Sequence, residues 1–381
     1  MRAATPLPPL APSRDLRLDF FRGLALICIF IDHIPENYLN YVTISAIGFS
    51  DAAEVFIFIS GFTASLVYGR ALAMRGTLIA TVLVLRRAWQ LYVAHIFLFM
   101  IFIAEVSYTV RAFNNPMYNE EMGVGDFLEH PHLAVVQAML LQFQPTFLDI
   151  LPLYIVMLLI FPLVLIGLRW RLLAVLIPSA LLYLAVQIFN VAMPAYPSGS
   201  VWTFNPLAWQ FLFILGATLG HGQAHARGLA RLVEIAYWPA LAIAMVALVI
   251  RLSWTFHGFW ESVPDLFAHQ LWPTNKRNLS PVRLISFFAL VMLAARWISP
   301  QARFMRLAPA RPVVACGRHS LEIFCLSILL SALGHFLMSE INTGLIMQLG
   351  INVVGVAVMC LTAAMLDWYR AMQRETVSTA G

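Results

Sequence analysis

Ten apolar runs, each near the length a helix needs to cross a bilayer, take up most of the 381 residues. A hydrocarbon core of about 30 Å is crossed by about 20 helical residues rising 1.5 Å each. The runs fall near 18–38, 51–72, 86–108, 147–168, 171–192, 204–222, 234–254, 281–298, 313–337 and 345–369. Only 11% of the residues are charged, whereas a soluble domain carries about a quarter. The expected fold is all-α: a polytopic integral membrane protein of about ten transmembrane helices. Residues 1–13, rich in Pro and Ala, are expected as a disordered cytoplasmic tail, 14–370 as a single transmembrane domain, and 371–381 as a second cytoplasmic tail. Residues 76–85 are expected to approach the third span along the interface. His132 to Gln142 is apolar but too short to cross, and is expected as a surface or re-entrant helix.

The net charge is +5, and its placement matters more than its size. Cytoplasmic ends of membrane proteins are enriched in Arg and Lys. With the N-terminus in the cytoplasm, 19 of the 24 basic residues fall at cytoplasmic ends, leaving Arg111, Arg251, Lys276, Arg277 and Arg283 elsewhere. Both termini are then cytoplasmic, and the basic charge tracks sidedness rather than nucleic acid. Cys28, Cys316, Cys325 and Cys360 show no CxxC spacing and read as buried small hydrophobes. No small-residue cleavage site follows the first run, so it is expected to stay as a span. No P-loop, GxSxG, HExxH or dinucleotide fingerprint occurs, and no metal is expected.

Ionisable groups inside spans are costly and mark candidate functional positions. The first span holds Asp19, Arg22, Asp32 and His33. Arg22 and His33 are eleven residues apart, about three helical turns, so they share one face with a rise of about 16 Å between them. Taken singly, Arg22 reads as a snorkelling anchor and His33 as an interhelical hydrogen-bonding histidine; the shared face favours function. Asp19 can pair with Arg22 at i, i+3. Asp32 points about 100° away from His33. Glu54 lies at the depth of His33, where it can orient a histidine, bind a hydroxyl, or simply sit at the headgroups. Ser60-Gly61 suits close helix packing.

Two outer loops stand out. The first, about 109–146, holds Glu120, Glu121, Asp126, Glu129, His130 and His132. The second, about 255–280, is rich in Trp, Phe and His before Asn275-Lys276-Arg277-Asn278. Its aromatics suit either sugar rings or an interfacial belt. Asn205, Trp209 and Gln210 open the sixth span near the outer face, and Asp149 and Tyr154 open the fourth. Arg86-Arg87 open the third, while Arg318, His319 and Ser320 lie at the cytoplasmic end of the ninth.

These segments resemble a known family. Arg22 and His33, Phe56…Ser60-Gly61-Phe62 and Gly317-Arg318-His319-Ser320-Leu321-Glu322 are similar to motifs of the acyltransferase-3 superfamily. With Leu18-Asp19-Phe20-Phe21-Arg22-Gly23, Asp51-Ala52-Ala53-Glu54, Asp149-Ile150-Leu151-Pro152-Leu153-Tyr154 and Asn205-Pro206-Leu207-Ala208-Trp209-Gln210, the likeness narrows to the OpgC type, associated with succinylation of osmoregulated periplasmic glucans. The resemblance implies a multi-pass protein of the bacterial inner membrane. It implies transfer of a succinyl or acetyl group from cytoplasmic acyl-CoA, a co-substrate, to a hydroxyl of an envelope glycan, with no bound cofactor.

On that reading His33 is the general base, with a covalent acyl-His intermediate as the open alternative to direct transfer, and Glu54 assists it. The donor is held by Asp19, Arg22, Arg86, Arg87, Arg318, His319 and Ser320. The acceptor is held by Asp149, Tyr154, Asn205, Trp209, Gln210, Asn275 and Lys276. Lys276, Arg277 or Arg283 would meet the distal carboxylate of a succinyl group. The expected partners are the lipid bilayer, the glycan and the acyl-CoA, with no nucleic acid and the oligomeric state open. A proton-coupled transporter or flippase of a glycan or lipid is the competing class, and a non-catalytic scaffold a third.

Overall fold

The computed structural model describes residues 15–113, 115, 117–221, 226–255, 275–300 and 302–379. Among them there are helices and two isolated bridges, but no strand. The helices are α1 (Leu16–Asp32), α2 (Ala52–Phe113), α3 (Met117–Glu121), α4 (Gly125–Glu129), α5 (Pro131–Met139), α6 (Ile150–Trp170), α7 (Leu172–Phe189), α8 (Pro206–His221), α9 (Ala226–Thr255), α10 (Pro281–Trp297), α11 (Arg311–Arg318), α12 (Ser320–Glu340) and α13 (Leu345–Thr379).

Six of these are long and apolar enough to cross a membrane: α2, α6, α7, α12, and the stretches Arg231–Ser253 of α9 and Leu345–Gln373 of α13. The count differs from ten for local reasons. The expected second and third runs both lie in α2, divided where Gly76 takes a φ of 83°, a conformation only glycine adopts at no cost. Residues 77–85, expected as an interfacial approach, form the first turns of the second limb. The helices α1, α8 and α10 have 17, 16 and 17 residues because their ends are stopped chemically. Pro206 and Pro281 start α8 and α10 at the first turn, where a missing N–H costs nothing. Asp15 caps α1 by accepting the backbone N–H of Arg17, and Pro35 disfavours helix at Ile34. The tail expected from 371 continues α13 as helix to Thr379. The N-terminal tail and the aromatic stretch from Phe256 to Trp272 lie outside the described residues.

Hydrophobic surface alone does not join helices in lipid, so close packing must. At two crossings the backbones touch. A Cβ at Gly23 of α1 would overlap the Val313 carbonyl of α11, and one at Gly61 of α2 would overlap the Phe213 carbonyl of α8. Phe30, Phe161, Trp209, Phe213 and Phe324 fill the centre and are fully buried. The outer loop folds into α3, α4 and α5, the last covering the expected short apolar helix. It is tied to α12 where Tyr118 Oη donates to Glu340 Oε1 at 2.6 Å and His335 Nε2 meets Glu121 Oε2 at 2.9 Å.

Candidate functional site

The first helix ends on a cavity at each side. Around its C-terminal end lies a cavity of about 350 Å³, called outer after the sidedness expected from the arginine distribution, lined among others by Asp32, His33, Asp51, Asp149, Arg251 and Lys276. Around its N-terminal end lies one of about 850 Å³, called inner on the same ground, lined among others by Asp15, Asp19, Arg22, Arg70, Arg87 and Arg306. The eleven-residue spacing thus places Arg22 in one cavity and His33 in the other.

The C-cap of α1 is His33, and its helical φ and ψ prolong the face begun by Arg22. Its Nδ1 is sealed from solvent without a hydrogen-bond partner, which leaves Nε2 as the nitrogen that opens to the cavity. The ring lies 4.5 Å from that of Phe147. Phe147 holds a left-handed φ of 73°, strained for an aromatic residue. Asp32 faces the same cavity, and its Oδ1 accepts the Thr43 hydroxyl at 2.7 Å and the Ser45 hydroxyl at 3.4 Å.

Asp51 and Glu54 form a capping box at the start of α2. Asp51 Oδ1 accepts the Ala53 N–H, and Glu54 Oε2 accepts the Asp51 N–H at 2.9 Å. The other Glu54 oxygen takes Arg283 Nε at 2.6 Å. Arg283 also reaches Asp51 Oδ2 at 3.0 Å, and Lys276 Nζ reaches that same oxygen at 2.8 Å. A ladder Glu54–Arg283–Asp51–Lys276 thus runs from the core to the cavity wall. Burial works against the Lys276 charge, but the Asp51 carboxylate outweighs it and holds the ammonium above the ordinary lysine pKa. The ammonium also sits 5.2 Å from the centre of the Phe204 ring.

This geometry sorts the sequence-based candidates. In the outer cavity stand His33, Asp149 and Lys276. Glu54 is fully buried behind it with both oxygens occupied, so it supports the wall through Asp51 and Arg283 and does not reach His33. Tyr154, assigned to the acceptor, lines the inner cavity instead, because it sits one turn into α6 and points away from the outer end. Asn205 and Trp209 are fully buried scaffolding: Trp209 Nε1 donates to the carbonyls of Lys276 and Arg277, and Asn205 Nδ2 donates to Val191 and Asn278. Gln210 is locked to Ser179, whose hydroxyl donates to it at 2.6 Å. Asn275 closes the turn by accepting the N–H of Asn278. Of the three cations considered for a succinyl carboxylate, only Lys276 lines the cavity; Arg283 is turned to the core.

In the inner cavity stand Asp19, Arg22, Arg87 and Ser320. Arg22 Nη2 donates to the Thr63 hydroxyl at 2.7 Å. Arg86 is not among its lining residues. Arg318 and His319 turn to α13, where both bond the Asp367 carboxylate at 3.0 Å, so neither faces the cavity. Arg70, Arg306, Asp32 and Arg251 line the cavities but were absent from the sequence-based sites. Arg70 had a legible signal: Phe56, Ser60, Thr63, Val67 and Arg70 recur at steps of three and four, one helix face. Asp32 carried the signal of an ionisable group inside the first span, and Arg251 that of a basic residue away from the cytoplasmic ends, but the helical face of Asp32 and the distant partner of Arg251, whose Nε donates to the Ser45 carbonyl, were not legible.

Among the described residues no group of three or more His, Cys, Asp or Glu is placed to hold a metal ion. The family model described as OpgC protein matches residues 14–371, nearly the whole chain. No curated protein and no solved structure matches it.

Proposed function

Since that match makes the chain a member of the OpgC family, which indicates a membrane acyltransferase, we propose that it carries an acyl group across the bilayer from acyl-CoA to a glycan hydroxyl. The observation that carries this reading is the pair of unlike cavities at the two ends of α1, one holding Arg22 and the other His33. On this reading ten spans cross the bacterial inner membrane with both termini in the cytoplasm, as the arginine distribution favours. The inner cavity then opens to the cytoplasm.

Four arginines against two aspartates line the inner cavity, which suits the phosphates of a CoA donor because guanidinium offers paired, fixed donors. Along α2 the cavity follows one face from Arg70 to Phe56, a rise of about 21 Å. That shape suits an extended thioester arm. In the outer cavity His33 takes the proton of the acceptor hydroxyl as its oxygen attacks the thioester carbonyl. The C–S bond breaks, and the proton passes to the departing thiolate. Asp32 and Asp149 present acceptors for the other hydroxyls of a sugar. Lys276 is the cation placed to meet the distal carboxylate of a succinyl group.

Mass spectrometry of envelope glycans tests the reading. A deletion strain should lack an acyl substituent, and wild type but not His33→Ala should restore it. Restoration by His33→Ala, or loss of glycan export with the substituent retained, overturns it in favour of a transporter.

A further inference from the structure

The same His33 that activates a sugar hydroxyl would activate water, so the selection of hydroxyl over water must lie elsewhere. Each cavity is lined by one of two neighbouring phenylalanines. Phe56 lines the inner cavity and Phe324 the outer one. Their ring centres are 6.0 Å apart, and the residues are 3% and 1% exposed. Phe56 also meets Tyr154 edge-on at 6.3 Å, and Tyr154 leans on the fully buried Phe213 at 6.2 Å. The donor face of α2, with Ser60 and Thr63, stops at Phe56. Neither phenylalanine has a polar group to offer either substrate. What they supply is bulk at the junction.

We propose that Phe56 and Phe324 are specificity-determining residues that form a barrier between the cavities and direct the acyl group to a hydroxyl rather than to water. This rests on the acyl-transfer reading. A donor arm arriving from inside meets Phe56, and an acceptor seated outside meets Phe324. Each ring therefore feels one substrate, and their contact lets occupancy on one side alter the other. With the rings together, water in the outer cavity and the waiting thioester do not meet; an acceptor seated against Phe324 parts the rings and brings its hydroxyl, not water, to the thioester. Productive turnover converts thioester and hydroxyl into ester and thiol. With the barrier lost, water takes the place of the hydroxyl: its oxygen bonds the carbonyl carbon, the C–S bond breaks, and carboxylic acid and thiol leave. Both routes use the same base.

Purified protein in proteoliposomes, with acyl-CoA inside, tests this by thiol release without acceptor. Phe56→Ala and Phe324→Ala should raise that hydrolysis about tenfold, and Phe324→Leu, which keeps most of the bulk, should raise it less. A second measurement needs no turnover. Thr63→Cys, on the inner cavity, should be labelled by a membrane-impermeant maleimide from the outer side only when combined with Phe56→Ala or Phe324→Ala, after subtraction of the native cysteines. Outer labelling that is equal with and without the rings overturns the barrier even if transfer is intact. If wild type turns over no acyl-CoA even with the glycan acceptor supplied outside, it is the transfer reading that fails, while the labelling still decides the barrier. Monodisperse elution of each variant, with Phe324→Leu in reserve, separates these results from misfolding.

Discussion

The two cavities are opposites in size and charge. The inner is about 850 Å³ and carries four arginines against two aspartates; the outer is about 350 Å³ and carries Arg251 and Lys276 against three aspartates. A wide, cationic space suits a large polyanion, whereas a small, carboxylate-rich one suits a neutral molecule that donates hydrogen bonds. Both walls are held by ion pairs: in the outer one Lys276 is anchored on Asp51, which Arg283 braces from the core. In the inner cavity Arg22 donates to the Thr63 hydroxyl and Asp15 pairs with Arg17. The contrast teaches that volume and net charge, not the presence of ion pairs, distinguish the two ends of α1.

The largest effect that can break this contrast is on chemistry. His33→Ala should lower acyl transfer by about 10²–10⁴-fold, the usual worth of a positioned base, with donor affinity nearly unchanged. Assays of glycan acylation beside acyl-CoA binding measure both; equal loss of both would place His33 on the donor side. Next comes Arg283→Ala, which strands the buried Glu54 charge and should cost about 3–5 kcal/mol. Thermal unfolding in detergent would register it, and an unchanged midpoint would mean that the outer wall is not held by its ion ladder.

Smaller effects sharpen the inner side. Arg22→Ala removes charged hydrogen bonds worth about 1.5–3 kcal/mol, so the KM for donor should rise about tenfold to a hundredfold while the KM for acceptor stays put. The reverse pattern would exchange the roles of the cavities. The smallest effect separates neighbours. Arg87 lines the inner cavity and Arg86 does not, so Arg87→Ala should weaken donor binding several-fold and Arg86→Ala by less than about twofold. Donor titrations of the two variants side by side would expose any symmetry between them.

How far the site could be read from sequence depended on the range of the interaction. Arg22 and His33 share a face through helix geometry alone, and their separation follows from the rise per residue. The Asp51–Glu54 capping box is local in the same way: its i, i+3 spacing marks a helix start, which accounts for Glu54 without a role at His33. Trp209 and Asn205 show the opposite case. Their position near the outer end was clear, but that they brace the Lys276 turn depends on a contact spanning some seventy residues. Arg318 and His319 were drawn away from the inner cavity by Asp367, whose helix returns only at the end of the chain.

By itself the sequence determined the all-helical membrane character, because few charges and long apolar runs leave no other way to satisfy the backbone in lipid. It also determined the alignment of the two polar groups on the first helix, because helical periodicity is a property of the local chain. Only the tertiary structure decided which other charges join them, since the facing groups are supplied by other helices. It decided too that Phe56 of the inner cavity and Phe324 of the outer one stand ring against ring. Two phenylalanines more than two hundred and fifty residues apart in the chain become neighbours only when α2 and α12 pack across the first helix.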